Sequence, residues 1–223
     1  MAQQKGNAPN TATLLLLGTL LTGLIAFALY AALDVVRMAN QPNAAVIVES
    51  GSEDEYAGTV VDPPLAIADF TLTDQQGQPF TFSSLRGQVV LLFFGFTHCP
   101  DFCPTTLYDF TRVKAALGPE ASRVAFVFIS VDGSRDTPEV LTSFMARFDS
   151  SFIALTGPEA DVQAIGDAVG LTVVRTAVDS ALEYTITHTV ATFLIDEEGQ
   201  LVRRFSFGTA YATLAEQVRA LLG

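Results

Sequence analysis

The sequence predicts an α/β fold in which helices flank a central mixed sheet, preceded by an N-terminal transmembrane helix. The first observation is an uncharged apolar run at Ala12–Leu33. The second is a pair of continuous apolar runs, Val89–Phe94 and Val124–Val131, typical of strands that are covered on both faces. The third is that helical patterns alternate with the strands, as in α/β layer folds.

The run Ala12–Leu33 is long enough for a membrane anchor. As a helix it would extend about 33 Å, which spans a bilayer core, and Gly18 and Gly23 are tolerated in such helices. The alternatives are a cleaved signal peptide or a buried soluble helix. The run exceeds the usual apolar region of a signal peptide, and no small-x-small cleavage site follows it. We therefore expect an uncleaved anchor.

The flanking segments predict the topology. We expect residues 1–11 to be a cytoplasmic tail, residues 34–62 an acidic tether and residues 63–223 the folded domain. Lys5 and Arg37 lie on opposite sides of the anchor, so the positive-inside signal is weak. All the acidic residues follow the anchor, and we place the bulk of the chain outside the cytoplasm.

The first half of the domain contains a hairpin, two strands and two helices. Phe70–Leu72 and Phe80–Phe82 flank the turn residues Asp74–Gly77, a hairpin signal. The strand Val89–Phe94 is followed by a helix over Pro104–Leu117, with Pro104 at its first position. After the strand Val124–Val131, Thr137 and Pro138 predict the N-cap and first residue of the next helix.

The second half alternates in the same way. Phe152–Leu155 predicts a short strand and Pro158 the start of a helix whose buried side is Val162, Ile165 and Val169. Thr192–Asp196 and Leu201–Phe205 predict a second hairpin. A last helix is expected to bury Leu214, Val218 and Leu221.

Composition excludes several classes of protein. The 12 basic and 24 acidic residues give a formal net charge of −12, which argues against a nucleic-acid binder that works by neutralising phosphates. Two cysteines cannot build a disulfide-stapled scaffold. With two cysteines and two histidines, the chain has at most one small soft-metal site.

Both cysteines lie where the first central strand ends. Cys99 and Cys103 stand in the segment GFTHCPDFCP, at the strand-to-helix turn that forms the usual ligand crevice of an open α/β sheet. In a helical turn, positions i and i+4 share one side. A helix N-terminus lowers the pKa of a thiol. These cysteines are thus expected to be reactive rather than merely structural, and the pair allows either dithiol–disulfide exchange or binding of Cu(I) or zinc.

His188 is the candidate third ligand. It lies just before the predicted strand at Thr192–Asp196, and in thioredoxin-like folds the residues entering that strand lie beside the dithiol turn. Oxidoreductases of that fold usually have a cis-proline there, whereas this chain reads His-Thr-Val-Ala-Thr. His98 could lower a thiol pKa, serve as a fourth ligand or cap the turn. Asp101 could accept hydrogen bonds within the turn or contact a partner.

The combination GFTHCPDFCP, SVDGSRDTPEVL and YTITHT–ATFLID resembles the Sco/SenC family of copper chaperones, from about Pro63 to Gly223. The resemblance implies a thioredoxin-like fold with its soluble domain in the periplasm or the mitochondrial intermembrane space. It implies copper, as Cu(I) or alternatively Cu(II), held by Cys99, Cys103 and His188. It also implies delivery to the binuclear copper site (CuA) of cytochrome c oxidase, with other copper chaperones or a thiol reductant as further partners.

Two other functions stay open on the sequence. A membrane-anchored thiol:disulfide oxidoreductase could keep the copper-ligand cysteines of the oxidase reduced, although such enzymes favour a CxxC spacing. A copper or redox sensor could bind the same ion and pass a signal without delivering it. We take the metallochaperone as the main hypothesis.

Overall fold

The computed structural model describes residues 58–178 and 184–223. They belong to one compact unit, Gly51–Gly223. The strands are β1 Thr59–Ala66, β2 Thr71–Asp74, β3 Pro79–Thr81, β4 Val89–Gly95, β5 Val124–Ser130, β6 Ile153–Thr156, β7 Val173–Ala177, β8 Tyr184–His188, β9 Ala191–Ile195 and β10 Gln200–Ser206; the α-helices are α1 Phe102–Leu117, α2 Pro138–Met145, α3 Glu159–Ala168 and α4 Tyr211–Leu222.

An eight-stranded mixed sheet in the order β1-β10-β9-β4-β5-β6-β2-β3 forms the centre of this unit. Strands β4, β5 and β6 are parallel, with Gly95 opposite Ser130 at the carboxyl end of β4 and β5. Every residue of β4 and β5 is buried. Since successive side chains point to opposite faces, both faces of these strands are covered, which confirms the mixed sheet flanked by helices.

Antiparallel strands complete the sheet on both sides. Strand β9 pairs with β4, β10 with β9 and β1 with β10, while β2 and β3 form a hairpin beside β6. The two hairpins expected from the sequence are therefore confirmed. Strand β1 begins at Thr59, four residues before the domain start expected at Pro63.

The helices begin close to the expected residues, with one correction. Thr137 caps α2, its hydroxyl accepting the Val140 amide at 3.4 Å, and Pro138 is the first helical residue. Helix α1 begins at Phe102 rather than at Pro104, so the prediction of Pro104 at the first position is wrong. Pro104 still lies in the first turn, where a missing amide costs no helical hydrogen bond.

A second, two-stranded sheet was not expected from the sequence. Strands β7 and β8 pair antiparallel, with Val173 opposite His188 and Ala177 opposite Tyr184. The sequence placed His188 before the strand that is now β9, which is correct, but gave no strand for the residues just before it. His188 is the last residue of β8.

The predicted anchor, Ala12–Leu33, and the predicted cytoplasmic tail, residues 1–11, lie outside the described residues, as does the tether up to residue 57. Within residues 58–178 and 184–223, no helix is long and apolar enough to cross a membrane.

Candidate metal centre

The two cysteines lie where β4 passes into α1. Cys99 lies in the short turn that follows the end of β4 at Gly95, and its amide donates to the Phe96 carbonyl at 3.2 Å. Cys103 is the second residue of α1, and its amide points back to the Cys99 sulfur at 3.5 Å. The Cys99 sulfur thus occupies the place of a capping acceptor for one of the free amides that begin a helix. The geometry brings the thiols together as the spacing predicted.

The surroundings shift the pKa values of the two thiols in opposite directions. A hydrogen bond from the Cys103 thiol, supported by the backbone amides of Cys103, Asp101 and Phe102, lowers the pKa of Cys99 to about 5 although burial opposes it. The same hydrogen bond and deep burial raise the pKa of Cys103. Cys99 is 9% exposed and Cys103 is fully buried. Cys99 is therefore the thiolate at the site surface, and Cys103 the thiol beneath it.

His188 reaches the same point from β8. Its Nε2 lies 4.0 Å from the Cys103 sulfur, and its Nδ1 lies 2.8 Å from the Thr189 carbonyl oxygen. A carbonyl can only accept, so Nδ1 carries the proton and the Nε2 lone pair faces the sulfur. Burial lowers the pKa of His188, so the ring stays neutral near neutral pH. Its edge packs on the Phe96 ring.

The spacing of these donors suits one soft ion. With metal–sulfur and metal–nitrogen distances of about 2.3 Å and about 2.0 Å, two donors on one ion lie about 3.7 Å apart in a trigonal shell and about 4.3 Å apart in a linear one. The observed 4.0 Å between Cys103 Sγ and His188 Nε2 falls between these values. A cavity of about 370 Å³ opens beside Cys99 and His188, and its lining includes the apolar Phe96, Phe102 and Val190 as well as His98 and Asp101. Thiolate and imidazole donors favour copper or zinc.

His98 and Asp101 line the same cavity as Cys99 and His188, but their polar contacts are with other neighbours. The half-exposed His98 has its Nδ1 3.9 Å from Asp136 Oδ1 and 3.2 Å from the Thr97 hydroxyl. Asp101 is the N-cap of α1 without a side-chain cap, and its carbonyl accepts the Thr105 amide and hydroxyl.

Two buried carboxylates next to the site were missed from the sequence. Asp132 and Asp136 are fully buried, and with His98 they form the cluster of metal-ligating residue types found in the described part of the chain. Both carboxylates already accept hydrogen bonds from neighbouring side chains, which accounts for their burial. The available signal was two acids, Asp132 and Asp136, in the short loop that follows a fully buried strand.

Fold and site together define a thioredoxin-like protein in which a CxxxC dithiol and a histidine lie side by side. The SCO1/SenC family model matches residues 61–223. The chain belongs to the SCO1/SenC family.

Relatives and solved structures agree with this assignment. An SCO2-like protein of Rickettsia typhi is 36% identical over 151 residues, which cover 67% of this chain and 74% of the relative. Copper-bound ScoI of Bradyrhizobium japonicum is 33% identical with a TM-score of 0.64, covering 70% of this chain and 99% of that one. Apo Sco1 of Thermus thermophilus is 37% identical with a TM-score of 0.67, covering 74% and 96%.

The unequal thiols lead to a test by alkylation. In the reduced, metal-free protein, iodoacetamide should modify Cys99 well before Cys103, because Cys99 is the thiolate that lines the cavity. With its pKa near 5, the thiolate is present above that pH and is lost below it. The Cys99 rate should therefore be nearly flat between about pH 6 and about pH 8, where an ordinary thiol gains about tenfold per unit. Mass spectrometry of the peptides measures both rates. Equal rates for the two cysteines would contradict the assignment.

Proposed function

We propose that this protein is a membrane-anchored copper chaperone, which binds one copper ion through Cys99, Cys103 and His188 and delivers it to the CuA site of cytochrome c oxidase. The observation that carries the proposal is the 4.0 Å approach of His188 Nε2 to the Cys103 sulfur, beside a second sulfur at the same helix end. Copper is the ion bound in the Bradyrhizobium relative. Two thiolates and one imidazole are a donor set that suits Cu(I), while the imidazole also suits Cu(II).

An incomplete donor shell suits a protein that gives its ion away. Three protein ligands leave a side of the ion open toward the cavity, where a thiolate of the acceptor can enter before the ligands of the donor leave. Oxidation of the two thiolates to a disulfide releases two electrons and removes both sulfur ligands. Copper affinity therefore depends on the redox state of the cysteines, and the reduced protein is the loaded form.

The acceptor and the location are inferred from the family and from the N-terminal segment. The Sco family is described as one of cytochrome c oxidase assembly proteins, which supports the copper-bearing subunit of the oxidase as acceptor. The apolar run Ala12–Leu33 supports a single-pass anchor with the domain in the periplasm, or in the mitochondrial intermembrane space of a eukaryote. Other copper chaperones are candidate copper donors, and a thiol reductant is a candidate for restoring the dithiol.

Copper binding by His188→Ala tests the proposal. The reduced domain, residues 34–223, is titrated anaerobically with Cu(I) against a competing chelator, beside the full chain in detergent. We expect one Cu(I) per wild-type chain. His188→Ala should bind copper more weakly by at least the roughly 10–100-fold that loss of a partner outside the ligand shell causes. His98→Ala is the matched control and should bind like the wild type, because His98 faces Asp136.

Two results would count against this site. Equal affinity of the wild type and His188→Ala would remove the histidine from the ligand set. Stoichiometric loss of copper in His98→Ala, with His188→Ala unaffected, would exchange the roles of the two histidines.

A thiol:disulfide oxidoreductase remains the second candidate. The pKa of Cys99 is low, whereas Cys103 is buried and its pKa is raised. Such a pair suits an attacking thiol, Cys99, and a resolving thiol, Cys103. In that reaction the dithiol reduces a substrate disulfide to two thiols and itself becomes the Cys99–Cys103 disulfide. If the protein reduces a disulfide substrate repeatedly with a thiol reductant, and if this activity needs no copper and is retained in His188→Ala, this function would be favoured over copper delivery.

A further inference from the structure

One short loop contacts both halves of the candidate copper site. The segment Ser130–Asp136, which we call the bridge loop, begins at the last residue of β5 and ends just before Thr137, the cap of α2. It is folded tightly on itself: the Asp132 amide donates to the Ser130 hydroxyl at 3.0 Å, and the Asp136 amide donates to the Asp132 carbonyl at 2.9 Å. Its two carboxylates are fully buried and accept hydrogen bonds from different elements.

The first contact holds the cysteine turn. Asp136 Oδ2 accepts the Thr97 amide at 2.9 Å, and Oδ1 accepts the Thr97 hydroxyl at 2.6 Å. The Ser130 hydroxyl also donates to Asp136 Oδ2, at 2.6 Å. Thr97 lies two residues before Cys99, so this carboxylate fixes the backbone that carries the first thiolate. Buried hydrogen bonds to a charged group are among the stronger ones in proteins.

The second contact holds the histidine hairpin. The Tyr184 hydroxyl donates to Asp132 Oδ1, and Arg135 Nε donates to Asp132 Oδ2 at 2.6 Å. The Arg135 guanidinium lies 3.9 Å above the Tyr184 ring and donates to its carbonyl at 3.2 Å. Arg175 on β7 donates to the Val131 carbonyl of the same loop. Tyr184 begins the strand that His188 ends.

We propose that the bridge loop sets the distance between His188 and the dithiol, and that Tyr184 is a positioning residue for His188. The hairpin β7–β8 forms a sheet of its own, so ladder hydrogen bonds to the eight-stranded sheet do not place it. Its contacts to Asp132, Arg135 and Val131 hold the Tyr184 end of the hairpin against the bridge loop, while the buried Ile186 and the Arg175–Glu159 ion pair hold it to the rest of the fold. This inference rests on the proposed function and assigns the groups that hold its ligands in register.

A double-mutant cycle with His188 tests the role of Tyr184. Tyr184→Phe keeps the ring over which Arg135 lies and removes the hydroxyl that donates to Asp132. We expect Cu(I) affinity to fall about tenfold, the low end for groups that orient a ligand. In the His188→Ala background, the same change should alter affinity by less than about twofold, because there is no histidine left to position. Tyr108→Phe is the matched control. Tyr108 is an exposed tyrosine on α1, and losing its hydroxyl should leave Cu(I) affinity unchanged.

The cysteine contact makes the opposite prediction. Thr97→Val removes the hydroxyl that donates to Asp136 and should weaken Cu(I) binding. This loss of affinity should be the same in the His188→Ala background, because the change acts on the cysteine turn and not on the histidine.

In the metal-free reduced protein, Tyr184→Phe should also weaken the NMR contact between the His188 and Phe96 rings, whose centroids are 5.9 Å apart. That readout does not depend on copper.

The outcomes separate this inference from the proposed function. If His188→Ala leaves copper affinity unchanged, the ligand assignment fails first. If His188→Ala weakens binding but Tyr184→Phe has no effect, or has the same effect in both backgrounds, Tyr184 does not act through His188 and the positioning role is overturned. Loss of the Thr97→Val effect in the His188→Ala background would overturn the role of the cysteine contact.

Discussion

Cys103→Ala should abolish copper retention. The Cys103 sulfur lies 4.0 Å from His188 Nε2, and its thiol donates the hydrogen bond that lowers the pKa of Cys99. Its removal therefore takes away one sulfur and weakens the thiolate character of the other. We expect affinity for Cu(I) to fall by more than about 100-fold, above the range for groups outside the ligand shell.

The measurement is copper stoichiometry of the reduced protein after passage over a competing Cu(I) chelator. Cys99→Ala is the companion variant, and it should lose copper as well because two thiolates are needed. Thermal unfolding of both variants guards against a folding defect, since Cys103 is fully buried. Retention of one copper per folded chain in Cys103→Ala would show that the ion lies elsewhere.

Gly95→Ala should both destabilise the fold and damage the site. A Cβ at Gly95 would lie 2.7 Å from the Phe128 ring, 2.9 Å from the Phe93 ring and 2.9 Å from the Cys103 sulfur. All three distances are shorter than van der Waals contact, and Gly95 is buried at the carboxyl end of the central strand β4. Overpacking of a well-filled core costs about 1–3 kcal/mol. Because the sulfur is one of the groups that must move, copper affinity should fall with stability.

Gly157→Ala is the matched control for this prediction. Its Cβ would meet the Leu72 side chain at 2.7 Å, so it also overpacks, but against a side chain away from the cysteines. We expect chemical denaturation to show a loss of stability in both variants and a chelator competition to show weaker copper binding in Gly95→Ala alone. Unchanged copper affinity in a folded Gly95→Ala would mean that the turn absorbs the added methyl group without moving Cys103.

Local patterns in the sequence predicted the parts of the structure that depend on few residues. The apolar runs at Val89–Phe94 and Val124–Val131 specify buried central strands, because such runs bury enough surface only when both faces are covered. Thr137 and Pro138 predicted a helix start, since a cap depends on the first turn alone. Helix α1 begins two residues before the predicted Pro104, because the Cys99 sulfur accepts the Cys103 amide and so supports an earlier first turn.

The sequence also predicted that the cysteine pair and His188 would lie close together. One chain segment carries both thiols, and the chain has only two histidines. What the sequence did not reveal was the β7–β8 hairpin and the buried carboxylates. Tyr184 and Asp132 are far apart in the chain, and each looks like an ordinary surface residue in its own segment. Only burial makes their hydrogen bond consequential.

Motifs and short-range periodicity were enough to predict the family, the α/β layers and the thiol pair. Only the folded chain shows which thiol lines the cavity, how the two histidines differ and what holds His188 against Cys103. Solvent exposure and hydrogen bonding at this site depend on how β4, β8 and the bridge loop come together in the fold. Local sequence patterns do not show which distant segments will be in contact.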